Sequence, residues 1–170
     1  LQRWLNGHAR IVRVMPNTPA LVLAGVSGLY ALPEVSNEDR TTAASILSAV
    51  GETVWVEKET DIDTVTAVSG SGPAYVFYFI EALEQAGREM GLSAAAAKQL
   101  ALATFTGASK LAAQSSEEAA VLRARVTSKG GTTERALASM ESAQVKAAII
   151  RAVKAAEARS RELGDELGRG

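Results

Sequence analysis

Ser69-Gly70-Ser71-Gly72-Pro73-Ala74 stands between two parts of the sequence that follow different patterns. Two glycines and then a proline in the first turn predict the start of a strongly apolar helix, which runs from Ala74 to about Met90. Short β-branched runs occur before this stretch, whereas alanine-rich segments with helical spacing dominate after it; of the 32 alanines, only four precede Thr41. The sequence therefore predicts an α/β part followed by an all-helical part.

The α/β part contains three predicted strands, over residues 10–15, 26–31 and 53–56. Between the second and the third, Ser36 is a suitable N-cap for a helix that runs to about residue 50 and is closed by Gly51. Strand, helix and strand in succession are typical of the end of an α/β sheet. The fold class predicted for this part is thus an α/β remnant, the end of a larger sheet.

The helical part begins with a predicted short helix over residues 62–68, which Thr60 or Asp61 can cap. After the apolar helix, Ser93 is placed to cap a second long helix over residues 94–113. No convincing strand follows Glu59, so this part is predicted to be helical throughout.

Beyond residue 113, Ser115 or Ser116 is expected to begin another short helix. The last long helix carries one apolar stripe with helical spacing, formed by Val145, Ala148, Ile149, Ala152, Val153 and Ala156. A frayed tail is expected over residues 164–170. The aromatic residues expected in the core are Trp55, Phe77, Phe79 and Phe105.

Composition excludes several functional classes. The 170 residues include no cysteine, which excludes disulfides, thiolate metal sites, iron–sulfur clusters and cysteine nucleophiles. The single histidine, His8, leaves no His-cluster metal site, so no metal is expected. A net charge of −1 disfavours nucleic-acid binding, and no apolar run approaches the roughly 20 residues of a membrane span. We expect a cytoplasmic protein without a signal peptide that binds neither nucleic acid nor membrane.

The first candidate site segment is Met15-Pro16-Asn17-Thr18-Pro19, named here the Asn17 loop. It follows a predicted strand, and ligands of open α/β sheets bind beyond the carboxyl ends of strands. Asn17 and Thr18 are therefore candidates to face a cofactor. A rigid turn between two prolines is the alternative interpretation.

The second candidate, residues 69–74, is named the Ser-Gly segment. Gly70 and Gly72 expose backbone N–H groups at the positive end of a helix, which is a suitable place for an anion. The segment is not the dinucleotide fingerprint, because it lacks a third glycine and a preceding strand. Close packing of one helix start against another is the alternative.

The third candidate, residues 126–134, is named the Gly-Thr segment. Gly130 and Gly131 lead into the first turn of a helix, with hydroxyl side chains on both sides. Free N–H groups at Gly131, Thr132 and Thr133 would hold a small carboxylate, and a hydroxyl could reach a second polar atom on it. A plain capped turn is the alternative. Taken alone, the residue patterns predict a small-anion site built from helix N-termini.

Together and in this order, the three segments resemble the signatures of pyrroline-5-carboxylate reductases, which catalyse the last step of proline biosynthesis. The resemblance runs from about Arg10 to about Leu163. It implies the C-terminal end of a Rossmann-like NAD(P)-binding domain over residues 1–58 and an all-helical dimerisation and substrate-binding domain over residues 59–170. The implied partners are pyrroline-5-carboxylate or proline and a second copy in a homodimer, with dimers able to build a higher oligomer.

The implied reaction is hydride transfer from NADPH or NADH to the C=N carbon of pyrroline-5-carboxylate, which gives L-proline. Such a transfer depends on positioning and electrostatics rather than on a nucleophile or a metal. The implied catalytic residue is Thr133, with its hydroxyl on the ring nitrogen. The implied substrate-binding residues are Ser69, Gly70, Ser71, Gly72, Ser128, Gly130, Gly131, Thr132 and Thr133. The implied cofactor-binding residues are Pro16, Asn17, Thr18 and Pro73.

The glycine-rich nucleotide loop of this family does not occur in the chain, which begins at Leu1. We therefore expect that the natural beginning of the protein is missing. The chain alone is then expected to bind NADPH weakly and to be inactive. It also does not reveal whether NADH or NADPH is preferred, because that selectivity lies in the missing part.

Two alternatives to this reductase stay open. One is another imine or β-hydroxyacid reductase of similar layout, which Gly130-Gly131 followed by two threonines disfavours. The other is a non-catalytic helical dimerisation module.

Overall fold

The computed structural model describes residues 4–168, which pack as two units. The first unit holds the residues up to Ala74 together with those from Arg151 onward, and the second holds Tyr75–Ile150. The predicted boundary between residues 58 and 59 concerns domains of the whole protein and stays a prediction. The outer ends of those domains, residues 1 and 170, lie outside the described residues.

The first unit is built on a three-stranded sheet in the order β1-β2-β3. The strands are β1 (Val12–Met15), β2 (Gly25–Ala31) and β3 (Gly51–Trp55). β1 pairs antiparallel with β2, and β2 pairs parallel with β3. The helix α1 (Asn37–Ser48) connects the parallel pair, as a helical crossover commonly does. The predicted α/β remnant is therefore confirmed.

The cap predicted for α1 is confirmed, because the Ser36 Oγ accepts a hydrogen bond from the Asp39 N–H at 3.1 Å. The prediction that Gly51 closes this helix is wrong. The helix ends at Ser48, and Gly51 is already part of β3, where it pairs with Gly25 of β2. Sheet pairing therefore determines the conformation at Gly51.

The core of the first unit lies between the sheet and the helical residues that follow it. Leu29 of β2 is fully buried, and Ile62 of α2 (Asp61–Val65) is almost so. Ala67, one turn later, is also fully buried. This small core fixes the position of the residues after α2 relative to β1 and β2, where two of the candidate segments lie.

The other helices are α3 (Gly72–Glu89), α4 (Ala94–Ala113), α5 (Ala119–Arg125), α6 (Thr132–Ser142) and α7 (Val145–Gly168). Ser93 caps α4 as predicted, since its Oγ accepts the Ala96 N–H at 3.2 Å. Ser115 and Ser116 do not cap α5: Glu118 occupies the N-cap position, and the Ser115 Oγ accepts from the Glu117 N–H before the helix begins. The prediction of a frayed tail from residue 164 is wrong as far as Gly168, because α7 continues to that residue. The last two residues of the predicted tail lie outside the described residues.

The second unit buries little of its own surface. Its buried residues are only Gly87, Ala97 and Ala101, all of them small. The prediction that Phe77 lies in the core is wrong, because its side chain is 64% exposed, and Phe79 and Phe105 are only half-buried. The large apolar side chains of these helices therefore do not form a core within the unit.

Within residues 4–168, no helix combines the length and the apolar character that crossing a membrane requires. The same residues bring no three His, Asp or Glu side chains close enough together to hold a metal ion. Trp55, predicted in the core, is half-buried on β3, and the Arg40 guanidinium carbon lies 5.5 Å from the centre of its ring.

Candidate functional site

The Asn17 loop follows β1 directly and turns into a short 3₁₀ helix, Thr18–Val22. The backbone of Asn17 is extended, and its carbonyl oxygen accepts the Ala20 N–H at 3.2 Å. Pro19 favours this turn because its ring fixes φ near the helical value. The turn between two prolines, the alternative interpretation of this segment, is thus present as one short 3₁₀ helix, while a contact with a cofactor stays a prediction.

The side chain of Asn17 links two candidate segments. Its Oδ1 accepts a hydrogen bond from the Val26 N–H of β2 at 2.9 Å, and its Nδ2 donates to the Ser69 Oγ at 3.2 Å. Both bonds are partly buried. Asn17 and Ser69 therefore lie together although 52 positions separate them in the chain. No periodicity or spacing in the sequence indicates this pair.

The Ser-Gly segment begins in a π-helical turn, Thr66–Gly70, which follows α2. The Ser71 N–H donates to the Thr66 carbonyl oxygen at 2.8 Å, which is the five-residue spacing of a π-helix. At Gly70 a Cβ atom would lie 2.5 Å from the Met15 Cε, so the segment passes close to the end of β1. Turns of this kind are frequent at functional sites.

The short helix predicted over residues 62–68 is therefore two helices of different winding, α2 and the π-helical turn. Neither predicted cap is present on α2: Thr60 makes no capping hydrogen bond, and the Asp61 carboxylate accepts the Lys58 N–H instead. This wider turn lies beside the Asn17 loop, because Ser69 accepts the hydrogen bond from Asn17 and Gly70 lies against Met15.

A largely apolar cavity of about 420 Å³ opens beside Ser69 in the first unit. It is lined by Val26, Gly28, Val54, Val56, Asp61, Thr64, Val65, Val68 and Ser69. Its volume falls in the range of small-molecule sites. At Gly72, the first residue of α3, a Cβ atom would meet nothing within 4 Å, so the start of that helix is open as well.

The Gly-Thr segment belongs to the second unit and connects α5 to α6. Gly130 reverses the chain with a φ of +74°, which glycine adopts without steric cost. Its N–H donates to the Glu134 Oε2 at 2.7 Å, and the Gly131 N–H donates to the Ser128 carbonyl oxygen at 3.0 Å. The expectation that the Gly131 N–H is free is therefore wrong, because the turn itself uses it.

The N–H groups of the next two residues remain available. No side chain within residues 4–168 caps α6, and in that part of the chain the Thr132 and Thr133 N–H groups have no partner. Thr133 is half-buried, and its hydroxyl makes no hydrogen bond with another described residue. A helix N-terminus carries a partial positive charge, so this first turn is suited to a carboxylate.

Comparison with known proteins identifies the family of the chain. The family model for pyrroline-5-carboxylate reductase dimerisation matches residues 59–163, more than half of the sequence. The chain belongs to this family. The family predicted from the three segments is therefore confirmed, and the matched residues include the Ser-Gly and Gly-Thr segments.

Named relatives extend the similarity to nearly the whole chain. A pyrroline-5-carboxylate reductase of Pseudomonas aeruginosa is 48% identical over 168 residues, which are 99% of this chain and 62% of that protein. The solved structure of the Coxiella burnetii pyrroline-5-carboxylate reductase has a TM-score of 0.92 at 42% identity and covers 95% of this chain and 60% of its own. A Plasmodium falciparum pyrroline carboxylate reductase, solved with NADP bound, has a TM-score of 0.85 at 37% identity, over 91% of this chain and 62% of its own. The chain thus spans less than two thirds of each relative.

Proposed function

We propose that the protein containing this chain reduces 1-pyrroline-5-carboxylate to L-proline, the last step of proline biosynthesis. The observation that carries the proposal is the uncapped first turn of α6, which lies inside the residues that match the family. Pyrroline-5-carboxylate has one carboxylate close to its ring nitrogen, and this turn offers N–H groups next to a hydroxyl. The relatives from Pseudomonas aeruginosa and Coxiella burnetii, which carry the name of this enzyme, support the same reaction.

In the proposed complex, the Thr132 and Thr133 N–H groups bind the substrate carboxylate. The Thr133 hydroxyl contacts the ring nitrogen and orients the C=N bond. Gly130 and Gly131 shape the turn and leave it without side chains, so that a carboxylate can approach the backbone. Ser128 supports the turn through its carbonyl oxygen. Binding of this kind lowers the barrier mainly by orientation.

We propose that Pro16, Asn17, Thr18 and Pro73 lie near the nicotinamide ring of the cofactor, with residues 69–72 as the wall of its site. Of these residues, Ser69 lines the apolar cavity, and the start of α3 at Gly72 is open, so both leave room for a ring. Bound NADPH or NADH would supply a hydride. Transfer of this hydride to the C=N carbon would move the π electron pair of the protonated C=N bond to nitrogen.

We also propose a homodimer. Membership of a dimerisation family supports it, and so does the exposure of large apolar side chains on the helices of the second unit. The most exposed examples on α3 and α4 are Phe77, Tyr78, Leu100 and Leu111. Apolar faces of this extent commonly bind a partner. A higher oligomer of dimers and a cytoplasmic location stay predictions.

Steady-state kinetics of the complete protein test the proposed reaction. We expect oxidation of NADPH or NADH that depends on pyrroline-5-carboxylate, with a kcat/KM far above that for other cyclic imines or for β-hydroxyacids in the reverse direction. A preference for one of those compounds would support the alternative reductase. A folded, dimeric protein without any of these activities would support a non-catalytic dimerisation module and contradict the proposal.

A further inference from the structure

The hydrogen bonds of Asn17 fix the orientation of its amide. A backbone N–H can only donate, so the amide atom that the Val26 N–H meets at 2.9 Å must be the oxygen Oδ1. The remaining amide atom, 3.2 Å from the Ser69 Oγ, is therefore Nδ2, which can only donate. The Ser69 oxygen accepts this bond. Consequently the Ser69 hydroxyl proton cannot point towards Asn17.

The Ser69 hydroxyl proton is thus left for another acceptor. Within residues 4–168, the bond from Asn17 is the one hydrogen bond of this hydroxyl. Ser69 lines the apolar cavity whose walls also include Val26, Val54 and Val68. Polar groups in such surroundings normally use their hydrogen-bonding capacity, and a bound ligand with an oxygen atom would let Ser69 do so.

The position of Ser69 is also restricted on its other side. The next residue, Gly70, lies so close to Met15 that a Cβ atom there would be 2.5 Å from the Met15 Cε. The π-helical hydrogen bond from Ser71 to Thr66 encloses both residues in one turn. The hydroxyl is therefore held by its backbone as well as by the Asn17 amide.

We infer that Asn17 is a positioning residue, which holds the Ser69 hydroxyl as a hydrogen-bond donor to a carbonyl or carboxylate oxygen of the bound ligands. This inference rests on the proposed function, which offers two such oxygens, on the nicotinamide carboxamide and on the substrate carboxylate. Ser69 then contacts the ligand directly, and Asn17 acts on the ligand through Ser69.

Asn17→Asp tests this role in the complete enzyme. The variant keeps an acceptor for the Val26 N–H, but its second oxygen can only accept, so the Ser69 proton turns towards it and is lost to the ligand. We expect the affinity for the ligand concerned to fall about two- to tenfold, the usual effect of one hydrogen bond. Ser69→Ala should give a fall of similar size.

Two measurements distinguish the ligands. A higher Kd for NADPH, measured by fluorescence titration without substrate, would indicate that Ser69 donates to the nicotinamide carboxamide. A raised KM for pyrroline-5-carboxylate with unchanged NADPH affinity would indicate the substrate carboxylate. Asn37→Asp, which adds the same charge at the exposed start of α1, is the matched control and should change neither constant.

The double variant separates positioning from the added charge. If Asn17 acts through Ser69, Asn17→Asp loses most of its effect in the Ser69→Ala background; an effect that persists in full overturns the inference. Unchanged constants in Ser69→Ala alone also overturn it. Should the melting temperature show that Asn17→Asp does not fold, Asn17→Ser replaces it in the same comparison of single and double variants.

A wild-type enzyme without reductase activity would contradict the proposed function itself. An active wild type whose Ser69→Ala variant keeps the wild-type Kd and KM contradicts only this inference.

Discussion

Thr133 is half-buried, and its hydroxyl has no partner among the described residues, which distinguishes it from a hydroxyl that caps a helix. Thr133→Val removes this hydroxyl at nearly constant shape. A lost hydrogen bond to a charged group amounts to about 1.5–3 kcal/mol, so we expect kcat/KM for pyrroline-5-carboxylate to fall about ten- to hundredfold. NADPH affinity and melting temperature should stay near those of the wild type.

Thr106→Val, at an exposed position of α4, is the matched control and should leave kcat/KM unchanged. All constants are measured on one preparation of each complete protein, together with the melting temperature. A Thr133→Val variant that melts earlier but keeps its kcat/KM would show a structural role and remove Thr133 from the site.

Asp39 gives the first unit a predictable response to acid. Hydrogen bonds from the Arg10 guanidinium, the shortest at 2.8 Å, and from the Ser36 hydroxyl lower the pKa of Asp39 below its usual value of 3.8. Because the pKa is lower in the folded state, the stabilisation is complete above the unfolded value and is lost as the pH falls through the folded one.

Asp39→Asn should therefore lower the melting temperature at neutral pH, and its difference from the wild type should vanish in acid below both pKa values. The effect should be small, since solvent screens an exposed ion pair. Thermal unfolding across this pH range measures it. A difference of equal size at neutral and acid pH would show that Asp39 acts through packing rather than through its charge.

The helix α4 depends on its cap because few of its residues are buried. Ser93→Ala removes the acceptor of the Ala96 N–H and should lower the free energy of unfolding by about 1 kcal/mol. Ser93→Asp keeps an acceptor and should retain most of this stability. Urea unfolding of both variants provides the test, and equal losses would show that the cap contributes nothing.

The regular elements could be predicted because their signals are local. Ser36 and Ser93 precede helices that they cap, and the β-branched runs form strands. The 3₁₀ helix Thr18–Val22 and the π-helical turn Thr66–Gly70 could not be predicted, since each is only five residues long and gives no periodic pattern. Both turns lie where distant parts of the chain come into contact, for example where Gly70 lies against Met15.

The candidate site, too, could be predicted only in part. Glycine, proline and hydroxyl residues identify the three segments, because such residues concentrate where backbone groups are exposed. The hydrogen bond from Asn17 to Ser69 and the bond that engages the Gly131 N–H depend on folded geometry, which residue types do not reveal. Partners can be assigned only once the turns are known.

The exposed apolar helices of the second unit predict a dimer that one charge can disrupt. Phe77→Glu places a carboxylate on an apolar face of α3, and burying it in an interface without a partner would cost several kcal/mol. We expect the complete protein to sediment as a dimer at micromolar concentration and this variant as a monomer that keeps its helical content.

Leu167→Glu is the matched control. Leu167 is 65% exposed against 64% for Phe77, but it lies outside the residues that match the dimerisation family. The control should therefore remain a dimer. A wild-type protein that sediments only as a monomer would contradict the proposed dimer.

Isotope transfer tests the proposed reaction, in which the enzyme that contains this chain delivers a hydride to the C=N carbon of pyrroline-5-carboxylate. The complete protein is incubated with pyrroline-5-carboxylate and NADPH deuterated at both C4 positions, and the product is analysed by NMR and mass spectrometry. The predicted result is L-proline with a single deuterium on Cδ, the former C=N carbon. Unlabelled proline, or no proline from a folded protein, would contradict the proposed reaction.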